Sequence, residues 1–160
     1  MTIHIRFIQP EDNQQIAAII RATLEEFKAN HPGTVYYDET TDRLFDIFTV
    51  PASRYWIAFQ ENIMLGGAGI FPTKGLPRDT CELVKLYLLP AARGKGFGKL
   101  LMDKCHTEAK ALGFKNIYLE TMPELTNAIP LYEKQGYTYL KGALGNSGHF
   151  GCEVHMIKSL

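Results

Sequence analysis

Cysteine is scarce in this chain: three residues of 160, Cys81, Cys105 and Cys152, odd in number and widely spaced, with no CxxC. That argues against a disulfide framework and against a zinc site. It suits a reducing, cytoplasmic setting. Charge of a single sign is missing as well. Seventeen Lys and Arg balance seventeen Asp and Glu. No long block of either sign gives the basic footprint that nucleic acid or an anionic membrane would need. No apolar run is long enough to span a bilayer. The segment Met1 to Pro10 has polar residues throughout, so no signal peptide is expected. There is no internal repeat, linker or low-complexity stretch. One domain over residues 1–160 is expected, able to bury roughly two-thirds of its unfolded surface.

What is present is a regular change of hydrophobic period. Ile3, Ile5 and Phe7 alternate with His4 and Arg6, as in a strand. Pro10-Glu11-Asp12 then opens a helix, and Ile16, Ile19, Ile20, Leu24 and Phe27 follow at helical spacing until His31-Pro32-Gly33 breaks it. A short second helix is predicted over Asp42 to Phe48. Tyr55 to Phe59 and Met64 to Phe71 predict a hairpin about Gln60-Glu61-Asn62. Cys81 to Leu89 predicts a long central strand and Gly98 to Leu112 an amphipathic helix stopped by Gly113. Asn116 to Thr121 is a strand, Thr126 or Asn127 caps a short helix through Gln135, and Tyr137 to Leu140 and Glu153 to Ile157 are the last strands. The order β-α-(α)-β-β-β-α-β-α-β-β predicts an α+β fold with a mixed sheet.

Between the central strand and its helix lies Arg93-Gly94-Lys95-Gly96-Phe97-Gly98-Lys99. Alternate glycines let a ligand approach the backbone, and a helix start adds unpaired N–H groups and a positive dipole end. Together they form a phosphate or pyrophosphate site. Spacing removes two familiar versions of it. A Walker A loop needs Gly where Arg93 stands and Ser or Thr where Leu100 stands. A dinucleotide fingerprint needs a third Gly where Lys99 stands.

The pattern that remains, Arg93, Gly96 and Gly98 as R-x-x-G-x-G, resembles the acetyl-CoA loop of the GNAT superfamily of N-acetyltransferases. Leu86-Tyr87-Leu88-Leu89-Pro90 stands where that family has its L-x-V-x-P strand. Ala128 to Tyr137 is similar to its A-I-x-L-Y-x-x-x-G-[FY] segment, and Ile5 to Asp12 to its opening. The resemblance covers essentially the full length. It implies a central twisted, mostly antiparallel mixed sheet flanked by helices, with acetyl-CoA as co-substrate and no metal. The backbone of Leu86, Tyr87 and Leu88 would pair with the pantetheine arm like an added strand. The amides of Gly94, Lys95, Gly96, Phe97, Gly98 and Lys99 would hold the pyrophosphate. The family's cofactor-contacting Asn is replaced here by Leu125; Asn127 is the nearest substitute, with a helix cap as its plain alternative.

Acetyl transfer to an amine needs a base, oxyanion donors and an acid for the leaving thiolate. By resemblance Tyr132 is the acid, and a core tyrosine is its plain alternative. Two glutamates compete for the base. Glu82 aligns with the base of histone-type members and Glu120 with that of ribosomal-protein N-terminal acetyltransferases. Glu82 shares strand parity with Leu86 and Leu88, the alternation that puts residues on one face. His149, in the loop Gly142 to Gly151, would border the acceptor, and Tyr36, Tyr37 and Asp38 would wall it. None of the three cysteines has a base partner in sequence, which favours direct transfer over an acetyl-enzyme. The acceptor is expected to be a small primary amine, with a peptide α-amine or lysine second, and a homodimer is left open. A non-catalytic acetyl-CoA-binding domain is the rival; it would keep the loop without Tyr132 and the glutamates.

Overall fold

A computed structural model describes residues 2–160; Met1, the first residue of the segment read as lacking a signal peptide, lies outside them. Among the described residues seven strands form one sheet: β1 Ile3–Phe7, β2 Arg54–Gln60, β3 Ile63–Phe71, β4 Thr80–Leu88, β5 Asn116–Thr121, β6 Thr138–Leu140 and β7 Val154–Ser159. Their spatial order is β1-β2-β3-β4-β5-β7-β6. The pairing of β4 with β5 is parallel and the others are antiparallel. Four helices flank the sheet: α1 Asn13–Glu26, α2 Leu44–Ile47, α3 Phe97–Ala111 and α4 Ala128–Lys134. No helix among them is long and apolar enough to cross a membrane.

Alternation along the strands sorts the core into two layers. Tyr55, Ile57 and Phe59 of β2 pack with Ile16, Ile19, Ile20 and Leu24 of α1 on one face. Trp56 and Ala58 pack with Leu101, Met102, Cys105 and Ala109 of α3 on the other. Each fully buried Ile or Leu in these layers contributes about 1.5–3 kcal/mol relative to exposure. The hairpin joins β2 to β3 through Glu61 and Asn62, both at positive φ, 49° and 72°. That is the two-residue turn whose twist matches the strands.

Two departures from regularity shape the centre of the sheet. The first is a bulge. Gly69 pairs with Val84 but Gly67 pairs with Tyr87, so β4 carries one residue more than β3 there. Lys85 takes the slack at φ 53°, the kind of kink a bulge puts next to a site. It also reverses the parity expected from the sequence. Leu83 packs in the same layer as Leu86 and Leu88, so Glu82 lies on the opposite face from the two leucines with which simple alternation had grouped it.

The second departure is a parting of strands. β4 and β5 pair only over Thr80–Glu82 and Asn116–Tyr118. Beyond that they diverge, and β4 continues against β3 alone. The gap opens at the end of the sheet where Glu82, Lys85 and Glu120 stand.

Candidate active site

Glycine on β3 and a tyrosine on β2 hold the bulge. A Cβ on Gly67 or Gly69 would lie 2.6 Å from the Tyr55 ring. The ring therefore lies across both glycines, and its hydroxyl donates to the Lys85 carbonyl at 2.7 Å. Tyr55 is 1% exposed, so this hydrogen bond is shielded from water. Tyr55→Phe leaves that carbonyl short of a donor, a loss of about 1–2 kcal/mol. A melting curve is expected to shift down by about 2–8 °C for a chain of this size. The kcat/KM is expected to drop roughly tenfold as the bulge loosens.

Downstream of the bulge a groove of about 500 Å³ runs between β4, α3 and α4. Leu86, Tyr87, Leu88, Arg93, Gly94, Gly96, Gly98, Lys99 and Asn127 all line it. Gly96 caps α3 in the left-handed region at φ 87°. The first helical amides, those of Phe97, Gly98 and Lys99, are the ones for which a helix has no internal acceptor. The Phe97 side chain is buried against Leu65 and Ala92, and Lys95 is exposed outside the lining, so these two positions offer backbone only. Arg93 is committed elsewhere. It binds Glu26 at 2.6 and 2.9 Å, donates to the Leu88 carbonyl at 3.0 and 3.2 Å, and stacks 5.0 Å over Phe27. It ties the loop to the end of β4 and to α1. Asn127 stands at the helix N-cap without a side-chain cap bond. Leu125, which stands in place of the family's Asn, and Ala128, Leu131 and Lys134 of the LYEKQGY region complete the wall with Thr23, which nothing in the sequence pattern marks.

Beside the groove, in the gap between β4 and β5, is a second cavity of about 50 Å³. The two share Leu86, Tyr87 and Leu125. Glu82, Lys85, Glu120, Tyr132, His149 and Cys152 line it. Both candidate glutamates and the candidate acid are thus brought together, in different states. Glu82 is 4% exposed. Thr73 donates to its Oε1 at 2.5 Å. Burial raises its pKa to about 7, the Thr73 bond opposes this, and the nearby Glu120 charge adds to it. Glu120 has both oxygens occupied, by Tyr118 at 2.7 Å and by Ser147 at 2.5 Å. Tyr132 is buried, its hydroxyl makes no hydrogen bond to a described residue, and burial raises its pKa, which keeps it protonated.

Sequence reasoning had passed over Thr73, Tyr118 and Ser147, and it had left Asp38 and His149 unpaired. Asp38 accepts from Thr40 and pairs with His149 at 3.1 Å. The His149 contact is the leading cause of a pKa held far below the usual carboxylate range. Of the aromatic-acidic segment, Asp38 is tied to His149 and Tyr36 to Glu25. Cys152 lines the cavity, but burial pushes its thiol up to about 12, where little thiolate forms.

A glycine loop at a helix start borders an apolar groove, and a smaller cavity opens beside it where two strands part. Residues 13–137 match the model of the acetyltransferase (GNAT) family. The chain belongs to that family. This N-acetyltransferase is 40% identical over 157 residues to the uncharacterized N-acetyltransferase YjgM of Escherichia coli (strain K12), covering 98% of this chain and 94% of the relative. It is 30% identical over 127 residues to the IAA acetyltransferase of Azospirillum brasilense, 78% of this chain and 80% of that one. In structure it resembles a GNAT acetyltransferase of Staphylococcus aureus Mu50 at TM-score 0.87, with 17% identity and 99% of each chain covered. It also resembles the PaiA N-acetyltransferase of Thermoplasma acidophilum, solved with coenzyme A, at TM-score 0.79 and 19% identity over the full length of both. These likenesses bear out the GNAT acetyltransferase fold expected from the loop and the LYEKQGY segment.

Proposed function

We propose that the chain transfers an acetyl group from acetyl-CoA directly to a small primary amine, with Glu82 as base and Tyr132 as acid. The observation that carries this is the state of Glu82. It is a buried carboxyl with one protein hydrogen bond and a pKa near neutrality, in a cavity shared with a protonated, unpartnered Tyr132. A base works best with its pKa near the working pH. Glu120 fits the role less well, since Tyr118 and Ser147 already fill its oxygens.

In this reading acetyl-CoA supplies the thioester, with its pyrophosphate on the amides at the start of α3 and its pantetheine arm along Leu86 to Leu88. The groove fits such a ligand: apolar walls from Leu86, Leu88, Leu125 and Leu131, and free amides at one end. The amine nitrogen forms a bond to the acetyl carbon and the carbon–sulfur bond breaks. Glu82 takes the proton that the nitrogen loses, and Tyr132 gives one to the departing thiolate. Solvent returns the proton from Glu82 to Tyr132. Holding donor and acceptor together replaces an encounter between two molecules with an intramolecular step. Cys152 takes no acetyl group in this scheme, because its thiol stays protonated. The small cavity favours a slender amine over a bulky one.

The test is acetyl-CoA turnover against a panel of amines, with Tyr132→Phe alongside. The wild type is expected to turn over at least one small amine. Tyr132→Phe is expected to lower kcat about a hundredfold while leaving the KM for acetyl-CoA within about twofold. Tight binding of coenzyme A with no turnover of any amine, and no effect of the mutation, would leave only a binding domain.

A further inference from the structure

Of the charged groups lining the acceptor cavity, Glu120 is satisfied within the protein, and so is Asp38, which stands outside the lining against His149. Both Asp38 oxygens are used, one by Thr40 and one by His149. Both Glu120 oxygens are used. What is left over includes Glu82 Oε2, the hydroxyls of Thr121 and Tyr132, and the Lys85 ammonium. The Lys85 ammonium makes no hydrogen bond to a described residue and no ion pair within 4.0 Å. It senses Asp38, Glu82 and Cys152 only at longer range.

Lys85 is also held where it is at a cost. Its backbone is left-handed at φ 53°, a conformation an L-residue keeps only when its surroundings insist. Here Tyr55 fixes its carbonyl and the β3 glycines make room for Tyr55. A partly buried cation without a counter-ion adds a desolvation cost. Strain and desolvation at one residue, beside the junction of donor groove and acceptor cavity, mark a side chain kept for a ligand.

We infer that the acceptor is an amino carboxylate, with an α-amino acid as the type case, whose carboxylate pairs with Lys85 while its amine faces Glu82. This rests on the acetyl-transfer reading above and narrows it. The charged groups among the leftovers, one carboxylate oxygen and one ammonium, are the complement of a zwitterion. The size agrees: about 50 Å³ holds about four waters, which is close to an amine, one carbon and a carboxylate. Asp38, the leading charge that Lys85 senses, lies beyond ion-pair distance, and its two oxygens are held by Thr40 and His149. A site that pairs a charged group rejects the analogue lacking it, since its own group is then left unpaired.

The experiment uses the full chain, acetyl-CoA and matched sets of acceptors: α-amino acids, their carboxamides and the corresponding decarboxylated amines. Wild type, Lys85→Met and Lys85→Arg are compared, with melting curves for each. In the wild type the amino acids are expected to exceed both analogues at least tenfold in kcat/KM. Lys85→Met is expected to reduce that preference below about twofold, and Lys85→Arg to retain part of it. Equal or faster turnover of carboxamides or plain amines by the wild type overturns the inference while leaving acetyl transfer standing. So does a preference that survives in Lys85→Met. If Lys85→Met fails to fold, the wild-type panel decides the matter, with Lys85→Arg as its check. Turnover of no amine of any kind overturns this inference and the acetyl-transfer reading together.

Discussion

Glu82→Gln is expected to lower kcat/KM by about a hundredfold to ten-thousandfold, the usual worth of a positioned base, and to remove the rise of activity with pH. The wild-type carboxyl titrates at about 7 because burial disfavours its charged form. Transfer needs that charged form. Expressed per neutral amine, kcat/KM should therefore fall about tenfold per unit below pH 7 and be flat above pH 8. Stability runs the other way. A carboxyl with a raised folded pKa contributes most where the unfolded chain also holds the proton, below about pH 4.5. That contribution is lost as pH climbs through about 7. Between these limits the wild type gives up on the order of 3 kcal/mol, and the uncharged amide of the variant gives up none of it. At pH 8 the variant should accordingly melt above the wild type while being nearly inactive. Denaturant curves at pH 5 and pH 8, beside a pH–rate profile, read both effects. A variant with an unchanged pH profile would move the base elsewhere, with Glu120 the first candidate.

The pairing of an activity loss with a stability gain also separates two roles for Glu82. A carboxyl that served only to accept from Thr73 would leave the pH–rate profile unchanged on replacement by Gln. The Thr73 hydroxyl is its one hydrogen-bond partner, and Gln keeps an acceptor for that bond. What Gln removes is the charge.

Hydrophobic period, loop residues and helix stops made the order of elements readable in the chain, because each depends on neighbours within a turn or two. Asn116–Thr121 comes out with the bounds its alternation predicted. The predicted helix at 42–48 became a 3-10 turn, Glu39–Arg43, followed by α2, since Asp38 caps Thr40 and starts the turn early. The glycine loop was readable for the same local reason: its spacing is its chemistry. The cavity between β4 and β5 was not. Asp38 and His149 are 111 residues apart in sequence, Tyr55 and Lys85 30, and Ser147 and Glu120 27. Nothing in a period of 2 or 3.6 links them. The bulge at Lys85 was hidden for a further reason. Cys81 to Leu89 is apolar on both faces apart from Glu82 and Lys85, so no polar stripe showed where the alternation slips. The glycines of β3 were the visible trace of it. Gly66-Gly67-Ala68-Gly69 is a poor strand sequence by propensity, and such a run signals that another group approaches the backbone closely.

Gly66→Ala puts that last point to its hardest test. A Cβ there would lie 2.0 Å from the Tyr87 carbonyl oxygen and 2.9 Å from Leu88 Cα, and Gly66 sits at φ 147°. Both obstacles are backbone, on the stretch of β4 read as the pantetheine platform, so no side chain can swing aside. The expected loss is about 3 kcal/mol or more, which for a chain of this size lowers the melting temperature by about 6–12 °C. Acetyl-CoA affinity, read by calorimetry well below that temperature, should fall more than tenfold, because Tyr87 and Leu88 must retreat from the groove. Gly94→Ala is the control. Gly94 also has positive φ, 71°, but a new Cβ there meets nothing within 4 Å. It should lose only the backbone term, about 1–2 kcal/mol, and keep its amide in place. If both variants lose equal stability, φ alone accounts for the glycines and close strand approach does not. If Gly66→Ala loses stability but binds acetyl-CoA as the wild type does, then β4 between Leu86 and Leu88 is not the surface on which the donor lies.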